Sequence, residues 1–507
     1  MKIVLAQTKF HKANIAKNCE VILQDIENAK TKNVSLIIFP EMATTAGYVG
    51  TLTQYSDFEI ELNKAFESLK TASKNIDILI GSYNICNNQF RNAILLFQNG
   101  EMTHLLNRAD TKNYTSKFSH KNTDFEVCFY KNIEQISNSK SDNFIVYGDT
   151  PFTINLRNQR IEKLQNIAKS QKIRTIYINN VGAFDNEIFD GGSLIINKNG
   201  EVIKELNLFS EEIYLSSNQE DIINKDKNYA EEYLILEALK LAINSYFSTI
   251  GARKAVIGLS GGIDSAVVAA VAVLALGAKN VHGILMPSDF STDHSISDAE
   301  ILAKNLGMSY DTISIKDAYK SVNNSLDPIW KEKKFDVTEE NIQARIRAIF
   351  LMAYSNKNGH LVLNTSNKSE ASVGYGTLYG DLSGSLSILG DLYKHQVYSL
   401  AEFINSEKEI IPQNSITKEP SGELSPNQKD TDSLPEYDIL DAILFQHLEN
   451  RKSGFEIVEM GYNREIVEKI LKMIRRNEYK RFQYPPIIKI SEFAYTVDRK
   501  MPLNWDI

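Results

Sequence analysis

Nine residues, Ile257-Gly258-Leu259-Ser260-Gly261-Gly262-Ile263-Asp264-Ser265, carry an apolar strand into a Ser-Gly-Gly turn and on into a helix. Adjacent glycines let backbone N–H groups converge on an anion without Cβ obstruction, and the helix that follows adds the positive end of its dipole. The spacing therefore predicts a pyrophosphate cradle, and with it an ATP-cleaving enzyme. In such a cradle Asp264 can hold magnesium, while Ser260 and Ser265 offer hydroxyl donors. The apolar run Ala266 to Ala278 is too short to span a bilayer and reads as a helix buried against a sheet. For this segment alone, an ordinary glycine-rich turn is the competing reading.

The elements that must position the cradle alternate along the whole chain, which predicts α/β architecture. Strands are expected at Ile3 to Ala6, Leu36 to Phe39, Ile76 to Ile80, Ala93 to Phe97, Phe125 to Tyr130, Phe144 to Tyr147, Thr175 to Asn179 and Ser193 to Ile196, with helices such as Asn14 to Lys30 and Asn158 to Ser170. Polar residues crowd between Ser216 and Asn228, where a linker is placed. After it, Ala230 to Ile250 reads as one helix leading into the strand Lys254 to Leu259, and Pro412 to Pro435 as a mobile loop. At 507 residues the chain exceeds one ordinary core, so at least two domains are expected.

Composition narrows the function classes. Hydrophobic residues at 43% and charged residues at 24% have the balance of a soluble globular protein. A net charge of −8 gives no general basic field, so no nucleic-acid partner is expected and an anionic nucleotide needs a local basic pocket. Three cysteines, Cys19, Cys86 and Cys128, suit a reducing compartment and form neither a disulfide framework nor a metal-ligand spacing. With no signal peptide and no membrane-length segment, a cytoplasmic protein is expected.

The second half resembles the NAD synthetases of the ATP-pyrophosphatase superfamily. Besides the cradle, the likeness rests on Leu285-Met286-Pro287-Ser288, Ser295 to Glu300, Thr338 to Arg347, Asn364-Thr365-Ser366-Asn367-Lys368-Ser369-Glu370, Tyr379-Gly380-Asp381, Ser421-Gly422-Glu423-Leu424, Gln428-Lys429-Asp430 and Asn477 to Arg481. The resemblance implies ATP at Gly258, Leu259, Ser260, Gly261, Gly262, Ile263, Asp264, Ser265, Met286, Thr365, Lys394 and Ser421. It also implies Mg2+ on Asp264 and Glu370, and deamido-NAD near Asn341, Arg345, Glu370 and Lys480. Enzymes of this kind adenylate the acid and replace the adenylate with ammonia, and they form homo-oligomers. The chemistry agrees with the residue types, because a carboxylate must be activated before amide formation, and Asp264, Glu370 and Lys394 can manage the charge that develops on phosphate. Asp381 is the candidate proton acceptor.

The first half resembles the nitrilase-type glutaminase domain of glutamine-dependent members, on Leu36-Ile37-Ile38-Phe39-Pro40-Glu41, the Gly100 to Tyr114 segment and Val181 to Ser193. Such a domain needs a cysteine thiolate, a glutamate and a lysine. Glu41 stands at the glutamate, but Arg108 falls where the lysine belongs, and an arginine is not equivalent to an ammonium. For the nucleophile, one alignment gives Tyr147 and another gives Cys128, the preferred one, with Lys131 to Lys140 as a crossover helix. Phe129-Tyr130 then replaces the family's Glu-Asp.

The expected fold is thus a nitrilase-like α-β-β-α sandwich over residues 1–225, then a Rossmann-like ATP-pyrophosphatase (adenine nucleotide alpha hydrolase-like) domain over 226–507. The expected function is NAD synthesis from deamido-NAD, ATP and free ammonia, with the glutaminase impaired. The alternatives are a glutamine-hydrolysing enzyme using Cys128 and Glu41, and a non-catalytic nucleotide-binding protein.

Overall fold

The computed structural model describes residues 2–503 apart from 87–88, 137–138, 140, 149, 217–226 and 331–332. It divides into two compact units, Met1–Tyr229 and Ala230–Ile507. The stretch expected as a linker lies for the most part outside the described residues.

In the first unit, two six-stranded sheets face each other. One runs, edge to edge, Glu212–Ser216, Ile3–Gln7, Leu36–Ile38, Asp77–Cys86, Gln89–Gln98, Glu101–Asn107; the other runs Val202–Glu205, Leu194–Ile196, Arg174–Ile178, Asn143–Tyr147, Thr123–Phe129, Thr115–His120. Side chains alternate across each strand, so Leu36, Ile38, Val127, Ile145 and Tyr147 meet between the sheets, while Ile37 and Ile80 on one side, Cys128 and Val146 on the other, face outward. Helices Ile15–Lys30 and Ser56–Ala72 cover the first outer face. Ile15, Cys19, Ile22 and Ile26 form the apolar stripe of the former at helical spacing. Helix Leu156–Gln171 covers the second face through Leu164 and Ala168. This is the α-β-β-α sandwich expected from sequence. The crossover helix expected over Lys131 to Lys140 is not there: the described part is a 3-10 turn, Tyr130–Gln135, and 137–138 and 140 lie outside the described residues.

The second unit is built on five parallel strands in the order Ser309–Thr312, Val281–Leu285, Ala255–Leu259, Leu361–Asn364, Leu386–Ser387. Successive strands step away on one side of Ala255–Leu259 and then resume on its other side, so a crevice opens at the carboxyl ends of Ala255–Leu259 and Leu361–Asn364. Helix Ile263–Leu276 leaves that crevice, and Ala266 to Ala272 are all fully buried, as an apolar run of this length requires. A second core gathers helices Tyr437–Leu448 and Arg464–Arg476 around Leu440, Leu444, Ile470 and Ile474. The segment Pro412 to Pro435, expected to be a mobile loop, carries a short helix, Gln413–Thr417, that packs on Ile263–Leu276. No described helix is long and apolar enough to cross a membrane.

Candidate active site

Gly261 makes the bend of the cradle possible. Its φ is +78°, and a Cβ there would overlap the backbone of Ser295. Ser415 Oγ donates to the Gly261 carbonyl at 3.0 Å, which fixes the turn from behind. Within the turn, Ser260 Oγ lies 3.0 Å from Ser265 Oγ and accepts from the Gly262 N–H at 3.2 Å. Helix Ile263–Leu276 has no side-chain cap at its N-terminus, so its first amides face the crevice.

Beside the turn, three charged side chains meet. Lys394 Nζ, on a side chain 2% exposed, sits 2.5 Å from Asp264 Oδ2 and 3.5 Å from Glu370 Oε1. Asn367 donates to Asp264 Oδ1 at 2.9 Å and, through its own Oδ1, caps helix Lys368–Val373 by accepting from the Glu370 N–H at 2.9 Å. The Asn-x-x-Glu spacing thus builds a capping box and aims Glu370 at the crevice. Burial first, and then the nearby Asp264 carboxylate, raise the pKa of Glu370 above the ordinary carboxylate range, against the pull of Lys394. Burial by itself lowers Lys394, but Asp264 and Glu370 outweigh it and hold the ammonium charged.

These groups line one cavity of about 310 Å³ at the carboxyl ends of the strands. Gly258, Leu259, Ser260, Gly262, Ile263, Asp264 and Ser265 border it, together with Met286, Thr365, Glu370, Asp381, Lys394 and Ser421. Asn341, Arg345 and Lys480 do not border it. They tie down the loop between Gly374 and Asp381 instead: Thr377 Oγ1 donates to Asn341 Oδ1 at 2.6 Å, Arg345 Nε donates to the Leu378 carbonyl at 3.2 Å, and Lys480 Nζ donates to the Gly374 and Gly376 carbonyls at 2.8 and 2.9 Å. Asp381 accepts from the Thr377 N–H at 2.5 Å, and burial raises its pKa.

Among the charged residues at the cavity, Arg347, Lys418, Glu419, Glu423 and Asp430 carried no role assigned from the sequence. Arg347 donates to the Met286 carbonyl at 3.1 Å, and burial pushes its pKa down to about 10. Glu423 accepts from Thr292 and Ser295 and pairs with Lys418 at 2.6 Å. Asp430 accepts from the Tyr375 and Tyr437 hydroxyls at 3.0 and 2.8 Å. Arg347, Glu423 and Asp430 lie inside blocks that carried the resemblance, and Lys418 lies outside them.

No group of three or more His, Cys, Asp or Glu side chains is arranged to hold a metal among the described residues. A magnesium ion that travels with a nucleotide needs only one or two carboxylates, the remaining ligands being phosphate oxygens and water. Asp264 and Glu370, two hard oxygen donors converging on one cation, fit that requirement.

The glutaminase-like positions divide differently from the expectation. Glu41, 1% exposed, accepts from Asn92 Nδ2 and has Arg108 Nε at 3.4 Å from the same oxygen. Desolvation raises its pKa to about 7, against Arg108, Asn92 and Lys131, and Tyr147 also feels its charge. Cys128 is not brought to it. In register, Cys128 pairs with Val146 and both face helix Leu156–Gln171, whereas Phe129 pairs with Tyr147 and both face the inter-sheet core. Burial and then Glu126 raise the Cys128 thiol well above its ordinary pKa, the opposite of an activated thiolate. The preferred alignment put the nucleophile at Cys128, on the face away from Glu41, whereas Tyr147, the position of the competing alignment, is the one that feels the Glu41 charge. Cys19 is buried under the first sheet, away from any such role. Substituting Cys128 with Ala is expected to cost about 1 kcal/mol in urea unfolding, as for a buried methylene-sized group, and to leave the ammonium-supported rate within about twofold.

The comparisons with known proteins agree with the crevice. A family model for NAD synthase matches residues 235–484. The glutamine-dependent NAD(+) synthetase of Acinetobacter baylyi is 35% identical over 530 residues, covering 99% of this chain and 98% of the relative. The chain belongs to the NAD synthetase family. A Synechocystis enzyme of the same name is 43% identical over 362 residues, covering 70% of this chain and 64% of its own. The solved structure of the glutamine-dependent NAD+ synthetase from Acinetobacter baumannii, in complex with ADP, superposes with a TM-score of 0.78 at 32% identity, covering 99% of this chain and 98% of the other. An NAD synthetase is a ligase forming a C–N bond, with ATP as a substrate, and the full-length likeness to these relatives spans the N-terminal sandwich as well as the second unit.

Proposed function

We propose that this NAD synthetase amidates deamido-NAD with free ammonia, through an acyl-adenylate formed in the crevice of the second unit. The acid's carboxylate oxygen attacks the α-phosphorus of ATP, the bond to the β-phosphate oxygen breaks, and pyrophosphate leaves. Ammonia's lone pair then attacks the carbonyl carbon, the bond to the adenylate oxygen breaks, AMP leaves, and nitrogen loses a proton. The amides at Gly262 to Asp264 cradle the phosphates, and Lys394 is placed to meet the charge that develops there. Held by Asp264 and Glu370, Mg2+ would supply further neutralisation of that charge. Asp381, made more basic by burial and fixed by the Thr377 N–H, takes up the proton. Asn341, Arg345 and Lys480 shape the neighbouring loop, where the dinucleotide is expected. Assembly into a homo-oligomer and a cytoplasmic location belong to the same reading, which the free thiols of Cys19 and Cys128 suit.

The nitrogen source rests on one observation, that Cys128 faces the helix-covered side of its sheet while Glu41 lies with Asn92, Arg108, Lys131 and Tyr147. A second reading has its own support, since full-length relatives are named glutamine-dependent. NAD formation should therefore be measured with ammonium chloride and with glutamine in ammonia-free buffer. Ammonium is expected to support turnover and glutamine less than about a tenth of that rate. Comparable glutamine-supported turnover, lost on Cys128→Ala, would refute the ammonia reading. Failure of ATP-dependent pyrophosphate release with deamido-NAD would refute the chemistry itself.

A further inference from the structure

Among the described residues three cations border the cavity of the second unit, and two of them have carboxylates of their own: Lys394 lies against Asp264 and Glu370, and Lys418 pairs with Glu423. Arg347 has none. Its Nε donates to the Met286 carbonyl at 3.1 Å, no other described group accepts from its guanidinium, and Glu423 and Asp381 act on it only from beyond ion-pair distance. A largely buried cation without an anion is costly, so one that borders an open cavity marks where an anionic ligand lies.

Its place along the cavity selects the anion. Helix Val337–Asn358 packs on the sheet face that holds Val256, Ile284 and Val362, and its Ala348 and Leu351, within a turn or so of Arg347, border the cavity together with Gly258 and Met286. A Cβ on Gly258 would meet Met286 Cε at 3.1 Å and Leu351 Cδ1 at 3.4 Å, so the glycine keeps this apolar end open for a flat ring. The cradle begins at Ser260, two residues and about 7 Å further along the strand. Lys394 reaches the cradle from helix Lys394–Ile404, which packs on Ile263–Leu276. A base in the apolar end and a pyrophosphate in the cradle thus leave Arg347 level with the phosphate that joins them.

We propose that Arg347 is a further catalytic residue, which holds the α-phosphate of ATP in the first step and the same phosphate of the acyl-adenylate in the second. The assignment rests on the adenylate reading of the reaction. As the acid's oxygen bonds to the α-phosphorus and the pyrophosphate oxygen departs, charge gathers on the non-bridging α-oxygens, which the outer guanidinium N–H groups can meet. When ammonia then attacks, the carbonyl carbon–oxygen bond breaks, its electron pair passes to the phosphate of AMP, and the same cation meets it. Lys394 serves the group that leaves first, and Arg347 the group that stays until nitrogen has attacked. Burial lowers Arg347 only to about 10, so it keeps its charge at neutral pH.

Product inhibition separates the two cations. In full-length enzyme supplied with ammonium chloride, inhibition of NAD formation by AMP and by inorganic pyrophosphate is compared between wild type and Arg347→Gln, which can still donate to the Met286 carbonyl but carries no charge. The AMP inhibition constant is expected to rise at least about tenfold and that of pyrophosphate to stay within about twofold, with kcat about tenfold lower and the unfolding temperature unchanged. Arg347→Met is expected to show the same selectivity and replaces the glutamine variant if that one does not fold. A wild-type enzyme that releases no pyrophosphate overturns the adenylate chemistry and this role with it. An active wild type that AMP does not inhibit, or variants whose two inhibition constants stay put or rise alike, overturn the role of Arg347 alone and leave it as a prop for the Met286 turn.

Discussion

Replacing Lys394 with Met is expected to lower kcat/KM for ATP by about 10²–10³ and to destabilise the second unit by about 3–5 kcal/mol. The first figure is that of removing one preorganised charge at a site of developing negative charge. The second follows from leaving the Asp264 and Glu370 carboxylates facing each other without the ammonium that lies 2.5 and 3.5 Å from them. Lys394 also lies 5.0 Å from the centre of the Tyr437 ring, so its place is defined by packing as well as by charge. Arginine should not rescue the variant, because a planar guanidinium does not fit a pocket built around a point charge on a side chain 2% exposed. Steady-state kinetics at several ATP concentrations, alongside urea unfolding, separate the two effects. A destabilised variant whose folded fraction keeps wild-type ATP kinetics would remove Lys394 from phosphate chemistry and leave it a structural role.

Gly261→Ala is the second large effect. Its cost has two sources, which another glycine separates. At φ +78° an L-residue is strained by about 1–2 kcal/mol, and the new Cβ meets the Ser295 backbone, which cannot rotate away. Gly251 has φ +71° with nothing within 4 Å of a Cβ, so Gly251→Ala carries the strain without the clash. Gly251→Ala is expected to lose about 1–2 kcal/mol of stability and no activity. Gly261→Ala is expected to lose about 10²-fold or more in kcat/KM for ATP as well, because shifting the cradle by an ångström misplaces every phosphate contact. Equal kinetics for the two variants would mean that the exact path of the bend is unimportant to the reaction.

Glu370 and Asp264 stand 106 residues apart along the chain, yet each could be singled out from its immediate neighbours. The strand, the Ser-Gly-Gly bend and the first turn of the helix are dictated by nine consecutive residues, and the Asn367-x-x-Glu370 capping box by four. Both are local structures whose geometry depends little on what packs against them. The alternation of apolar strands and helices likewise fixed the two-layer sandwich and the parallel sheet in outline, since Leu36, Ile37 and Ile38 or Ile145, Val146 and Tyr147 can be buried only by covering both faces.

Which side of a strand faces the pocket was a different matter. Cys128 and Phe129 are neighbours in sequence and point to opposite faces, and with a period of two a register shift of one residue exchanges them. Composition and spacing carry no parity, so the chain alone determined that a cysteine lies near the end of this strand, and only the pairing Cys128↔Val146 decided that it lies on the far side from Glu41. The same holds for Lys480, which meets Gly374 and Gly376 across more than a hundred residues. Contiguous residues settle a phosphate-binding bend because its hydrogen bonds close within a few positions; the company a side chain keeps is settled by long-range packing, which the linear order of residues leaves open.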